Sequence, residues 1–135
     1  MAKKQSRPQL SSVIEGFINA VEEAQRDYDW NYEEVNRLNL LQQDLLHMLE
    51  LSDLKYSGRG KVATQLRNCR IDRRASKDTV EMLEPFLEQI NSDKGIQMMR
   101  FLKELLGQTR NLEKNMGVRV YRFRELDEED IYAQG

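Results

Sequence analysis

Apolar side chains return along this chain at alternating intervals of four and three residues, the spacing that keeps them on one side of an α-helix. The longest run is Ile14, Phe17, Val21, Ala24, Tyr28, Asn31, Val35, Leu38, Gln42, Leu45 and Leu49, which keeps the rhythm without a slip to about Leu51. As one helix it would be about 60 Å long. Ile18, Tyr32, Leu41, Leu46 and Met48 flank the run on both sides, a stripe wide enough for more than one partner helix. Ser12 followed by Glu15 is a capping-box pattern and sets the expected start. In DYDWNYEE, Asp27 to Glu34, poor helix formers and aromatics cluster, so a bend or break there stands beside the continuous rod as an open alternative.

A second seam runs through Val62, Leu66, Cys69, Arg73, Ser76, Val80, Leu83, Leu87 and Ile90. The stretch Ser52 to Gly60 is read as the stop between the two, with Gly58 and Gly60 free to adopt turn conformations. Pro85 is expected to kink the second helix or to mark a change of segment after Glu84. Asn91-Ser92-Asp93 reads as a connection and N-cap. A third helix from about Asp93 to Asn115 carries Met98, Leu102, Leu105, Thr109, Leu112 and Met116, and Gly117 is its stop. VRVYRFREL then alternates as a short strand or an extended strap does, before the acidic DEED.

Short connections make neighbouring helices antiparallel. The predicted fold is all-α, an antiparallel three-helix bundle of coiled-coil type with a very long first helix and a short extended C-terminal tail. It divides into a flexible basic arm (1–11), a bundle domain (12–116), and an extended strap with acidic tail (117–135). A turn near Lys55 and Tyr56 sets Leu49 opposite Val62 and Val21 opposite Ile90. The first helix then overhangs, leaving Ile14, Phe17 and Ile18 exposed unless the chain bends near Asp29 or a second copy covers them. A homo-oligomer, most simply a dimer, is therefore expected, with Asn31 able to fix its register. The same pairing puts the end of the third helix, with Arg110, Lys114 and Arg119, beside the start of the second.

With 135 residues, 39% hydrophobic and 33% charged, the chain suits one highly solvated domain with a modest core. The net charge of −2 hides segregation: Lys55 to Lys77 holds eight basic residues and one acid, Glu22 to Glu34 six acids and one base. Positive and negative poles are thus expected, which favours a partner at one pole over general attraction to nucleic acid. The single Cys69 cannot form an internal disulfide and falls on a seam, where a small packed thiol fits. No apolar run has the length of a signal core or membrane span, so the expected setting is the cytoplasm, with no membrane.

Catalytic patterns are weak throughout. SGRGK departs from the phosphate loop, which wants glycine where Lys55 stands and Ser or Thr where Val62 stands. Asp44-Leu-Leu-His47 has half of a di-iron motif, but His47 is the only histidine. Cys69 has no histidine base nearby, and Asp127 to Asp130 reads as a solvated tail. No catalytic residue, metal or cofactor is nominated.

Charged and aromatic rows carry the remaining signal. Arg67, Arg70, Arg74 and Lys77 lie beside the second seam at its own spacing, cations along one helix edge over roughly 15 Å. Such an edge is either solvated and paired with acids of the first helix, or a strip for phosphates or acidic side chains. No aromatics interleave it, which weakens base stacking. Arg73, inside the seam, either reaches outward or meets Asp or Glu of another helix. The acidic candidates for partner binding are Glu22, Glu23, Asp27, Asp29, Glu33, Glu34, Glu81, Glu84 and Glu88. Tyr28, Trp30 and Tyr32 form an interaction hot spot or plug a bend.

The runs EEVNRLNLLQQDLLHMLELSDLKY and RGKVATQLRNCRIDRRASKDTVEMLEPFLE, within Glu33 to Glu88, resemble small helical proteins of phages and prophages of Gram-positive bacteria. The resemblance transfers no catalytic residue. It implies a mobile-element setting, in which small proteins bind and block host machinery. The expected function is a non-enzymatic interaction protein that inhibits a nucleic-acid-directed, CRISPR-like defence system in the bacterial cytoplasm. Its partner would be a host protein or ribonucleoprotein. Two alternatives stand beside it: a nucleic-acid-binding accessory factor of phage replication or recombination, and a structural helical subunit.

Overall fold

The computed structural model describes residues 9–116 and Glu125. They form three helices, α1 (Leu10–Leu51), α2 (Tyr56–Ile90) and α3 (Asp93–Met116), the all-α bundle with a very long first helix that the spacing predicts. The basic arm lies outside the described residues up to Pro8, and so do the strap and acidic tail apart from Glu125.

The 42-residue α1 is unbroken through Asp27 to Glu34. Local bonds offset its poor propensity there: Asn31 Nδ2 donates to the Asp27 carbonyl at 2.7 Å, Gln25 Nε2 to Asp29 Oδ1 at 3.1 Å, and the rings of Tyr28 and Tyr32 stack at 6.0 Å. The connection to α2 is only Ser52 to Lys55, so Gly58 and Gly60 stand inside α2 and not in a turn. No described residue has a positive φ. Helix α2 also runs through Pro85 to Ile90. The ring tolerates helical φ, and the lost bond leaves only the Glu81 carbonyl without its donor.

Both partners of α1 run antiparallel to it, but on different halves. Leu38 and Leu45 of α1 enclose a core with Val62 and Cys69 of α2, backed by Leu49, Leu54 and Leu66. A second core joins Ile14 and Ile18 of α1 to Leu106 of α3, backed by Met99, Leu102 and Leu105. Burying each such leucine or isoleucine is worth roughly 1.5–3 kcal/mol. Helix α3 thus carries on in the direction of α2, along the half of α1 that α2 does not reach. The end of α3 therefore lies far from the start of α2, contrary to the expected neighbourhood of Arg110 and Lys114. Arg110 pairs instead with Glu15 at 3.1 Å, and Arg119 lies outside the described residues.

This placement also corrects two seams. Helix α3 covers Ile14 and Ile18, so the overhang is filled from within the chain, and Phe17 is left 43% exposed. The inward row of α3 is Gly95, Met99, Leu102, Leu106 and Thr109, with Met98, Leu112 and Met116 on its exposed flank. The start of α1 departs from its capping box as well. The helix opens at Leu10, its N-cap Gln9 makes no side-chain bond, and Glu113 of α3 does the capping. Ser11 Oγ donates to Glu113 Oε2 at 2.6 Å and the Ser11 N–H to Oε1 at 3.1 Å. A carboxylate set against a helix N-terminus meets both its unpaired N–H groups and its partial positive charge.

Gly95 fixes the junction between α2 and α3. Ser92 caps α3, its Oγ accepting from the Gly95 N–H at 3.2 Å, and this draws the first turn of α3 onto the end of α2. A Cβ at Gly95 would lie 2.1 Å from the Gln89 carbonyl oxygen and 2.3 Å from that of Ile90. Only glycine fits, for want of space and not for its φ.

Candidate functional site

The basic edge of α2 follows from its seam. Arg67, Arg70, Arg74 and Lys77 each come one residue after an inward position, Leu66, Cys69, Arg73 and Ser76, which turns them about 100° from the partner helix. All four are exposed. Among the described residues the ion pairs are Glu34–Arg37 and Glu15–Arg110, so no carboxylate of α1 lies within pairing distance of this edge. Arg67, Arg70 and Arg74 line an open groove together with Leu49, Ala63, Leu66 and Ala75, and with one acid, Asp78. Ile71, 55% exposed, belongs to the same groove. The structure therefore joins cations to apolar surface.

Arg73 turns the other way. It is half-buried, and its Nε donates to Asn39 Oδ1 of α1, a neutral partner, so it neither reaches fully outward nor meets the alternative Asp or Glu. One turn away the Cys69 thiol, 3% exposed, donates to the Leu38 carbonyl at 3.3 Å. This thiol is packed and hydrogen-bonded away from solvent. His47 is exposed, and no group of three or more His, Cys, Asp or Glu gathers for a metal ion among the described residues.

The nine acidic candidates do not form one face. Glu84 and Glu88 border a groove with Gln25 and Tyr28, where Asn91 Nδ2 donates to Gln25 Oε1 at 3.3 Å. Burial pushes the Tyr28 phenol above its ordinary range, and the charges of Glu84, Asp29 and Glu88 add to that. Glu22 lies in a separate groove with Ile96 and Lys103. Glu81 lies near Lys77. Glu34 is engaged by Arg37 of its own helix, and that bond holds its carboxyl below the usual carboxylate range. Glu23, Asp27, Asp29 and Glu33 are exposed around the circumference of α1. These acids occupy the middle of α1, where α2 ends, because α3 extends the body beyond them. The cations from Arg67 to Lys77 sit along the middle of α2 and the acids form a waist, so the charges are not drawn out to two opposite ends.

The aromatic trio is also divided. Tyr28 and Tyr32 stack, whereas Trp30, 62% exposed, is about 200° around the helix from each. What the seam pattern did not isolate is a second apolar row. Leu10, Val13 and Phe17 on α1, and Met98, Phe101 and Leu112 on α3, are all more than two-fifths exposed. Its signal is present in adjacent apolar pairs such as Phe17-Ile18, Met98-Met99 and Phe101-Leu102, of which a single helix face can bury only one member.

The fold and its surfaces define a helical bundle protein with a basic, partly apolar edge. No protein-family model matches the chain, and no curated protein or solved structure is significantly similar to it. No helix of the described residues is long and apolar enough to cross a membrane.

Proposed function

We propose that this protein acts by binding and not by catalysis. The arginine edge of α2 docks on an acidic face of a host protein or ribonucleoprotein and blocks a nucleic-acid-directed defence complex in the bacterial cytoplasm. The observation that supports this reading is the meeting of Arg67, Arg70 and Arg74 with Leu49, Ala63 and Leu66 in one groove. Phosphates are satisfied by the cations alone, whereas an acidic protein surface also offers side chains for the apolar members of the groove. Arginine on such a rim steers approach and then makes bidentate contacts with carboxylates.

The test is target cleavage by a guide-loaded CRISPR nuclease of a Gram-positive host, with the protein in excess. Inhibition is expected, and the triple variant Arg67→Glu, Arg70→Glu, Arg74→Glu should abolish it while keeping the helical circular dichroism signal, since all three side chains are exposed. Undiminished cleavage across such nucleases rejects the reading. A gel shift with bare DNA or RNA at low salt that fades steeply as salt rises favours the accessory-factor alternative instead.

A further inference from the structure

The α1–α3 half of the molecule has two unlike sides. One is marked by the Glu15–Arg110 ion pair and by the groove that brings Glu22 beside Ile96 and Lys103. Counting about 100° per residue from the buried rows, these residues all lie in the same rotational sense on their helices. Leu10, Val13, Phe17, Ala20 and Ala24 of α1 are turned in the other sense from Ile14, Ile18 and Val21. Met98, Phe101, Leu105, Leu112 and Met116 of α3 are turned likewise from Met99, Leu106 and Thr109. Because the two helices are antiparallel, equal turns place both rows on the same side of the pair. They form one two-helix face, and no charged residue stands in either row from Leu10 to Ala24 or from Met98 to Met116, Lys94 marking its edge one turn before Met98.

Phe17 is 43% exposed, Val13 56%, Phe101 61% and Leu112 59%. Scattered apolar residues are ordinary on a surface, but a continuous uncharged face across two helices is not. It also lies in line with α2. The row that α2 covers on α1, Val35, Asn31 and Tyr28, continues at the same spacing into Ala24, Phe17 and Leu10 once α2 has ended at Ile90. Among the described residues no helix fills the seat at this end of the bundle.

We propose that a second copy of the chain packs on this face through the same face of its own. The two α1–α3 layers then close into a two-fold four-helix core, with the α1–α2 hairpins projecting from it. Two features select a second copy over an unlike partner. The face lacks charges to complement, so it is self-complementary in chemistry as a two-fold contact requires. Its dimensions also suffice: about 25 Å of helix length by about 20 Å for two helices is about 500 Å² per copy and about 1,000 Å² in all, where specific interfaces begin. This dimer is independent of the arginine edge, which lies along the middle of α2, beyond the α1–α3 half.

Sedimentation equilibrium of the full chain decides the matter. The expected mass is twice the 16.0 kDa of the chain from micromolar to submillimolar concentration. Phe17→Glu and Phe101→Glu should each lower the mass to one copy while keeping the helical circular dichroism signal, since both side chains are already exposed. Ile71→Glu, on the outer side of α2, should leave two copies. A chain that stays monomeric overturns the proposal, whether the face is then covered by residues beyond Met116 or by another protein. So does a dimer that survives both phenylalanine variants, or one that Ile71→Glu dissociates.

Discussion

The two halves of α1 are packed to different degrees. On the α2 half, Leu38 is 2% exposed and Cys69 3%, and polar groups that enter the seam are partnered, Arg73 by Asn39 and the thiol by a carbonyl. On the α3 half the most buried members are Val21 at 5% and Ile18 and Thr109 at 6%, and Leu106 sits at 9%. Large apolar side chains face outward on both halves, but on this one they line a face that no described helix covers. One helix, with one spacing throughout, thus meets a finished seam and a half-finished one. Periodicity sets how much apolar surface a helix carries, and the partner's position sets how much of it is hidden.

The most severe way to break this comparison is to empty each core in turn. Leu38→Ala should cost near the top of the roughly 2–5 kcal/mol range for buried leucine, because the α2 seam cannot collapse around the cavity. Leu106→Ala should fall near the bottom of that range, since its surroundings are looser and open on one side. Urea melts at a fixed protein concentration measure both. Equal losses would mean that the α3 half is as closely packed as the α2 half, and the contrast between the halves would vanish.

What could be read in advance follows the same division. Three helices, their approximate limits, the Leu49–Val62 register and the packed Cys69 were legible because each rests on local spacing and a short connection. The position of α3 was not. Phe17 and Ile18 are neighbours, as are Met98 and Met99, and Leu105 and Leu106, so more than one seam can be drawn through the same residues. The choice between them is made by contacts far apart in sequence, Gly95 on the end of α2 and Glu113 on the start of α1. The capping box at Ser12 misled for a related reason: it describes one helix alone, and here another helix supplies the cap. The basic edge was legible as a row of residues, but the apolar groove beside it depends on Leu49 from α1 and so required the fold.

Two glycines of α3 sharpen the comparison further. Gly95→Ala places a methyl group against two backbone carbonyls that cannot move aside, so α3 must swing outward, at about 1–3 kcal/mol or somewhat more. The loss should be local: amide exchange should accelerate across α3 and the first turns of α1, and hardly at all between Leu38 and Cys69. Gly107 lies in the same helix, and a methyl group there would have nothing within 4 Å of it. Gly107→Ala should therefore stabilise by about 0.5–1 kcal/mol, through helix propensity alone. Destabilisation by both would mean that α3 tolerates no added bulk anywhere, and Gly95 would lose its special place at the junction.

The smallest expected effect concerns the clasp that closes the far end. The Ser11 hydroxyl and N–H, with help from Arg110, hold the Glu113 carboxyl below the usual carboxylate range. A group whose folded pKa is depressed contributes stability above its unfolded value, and that contribution is lost as pH falls through the folded pKa. Glu113→Gln keeps an acceptor for Ser11 but no charge for the start of α1. The variant should therefore melt below the parent at pH 7, and the gap should narrow as acid protonates the parent's carboxyl, starting near the ordinary glutamate value of about 4 and closing below it. Paired thermal melts from neutral to acid pH read this directly. A gap that stays constant across the range would assign the loss to packing at position 113, and the charge of Glu113 would then have no part in holding α3 to α1.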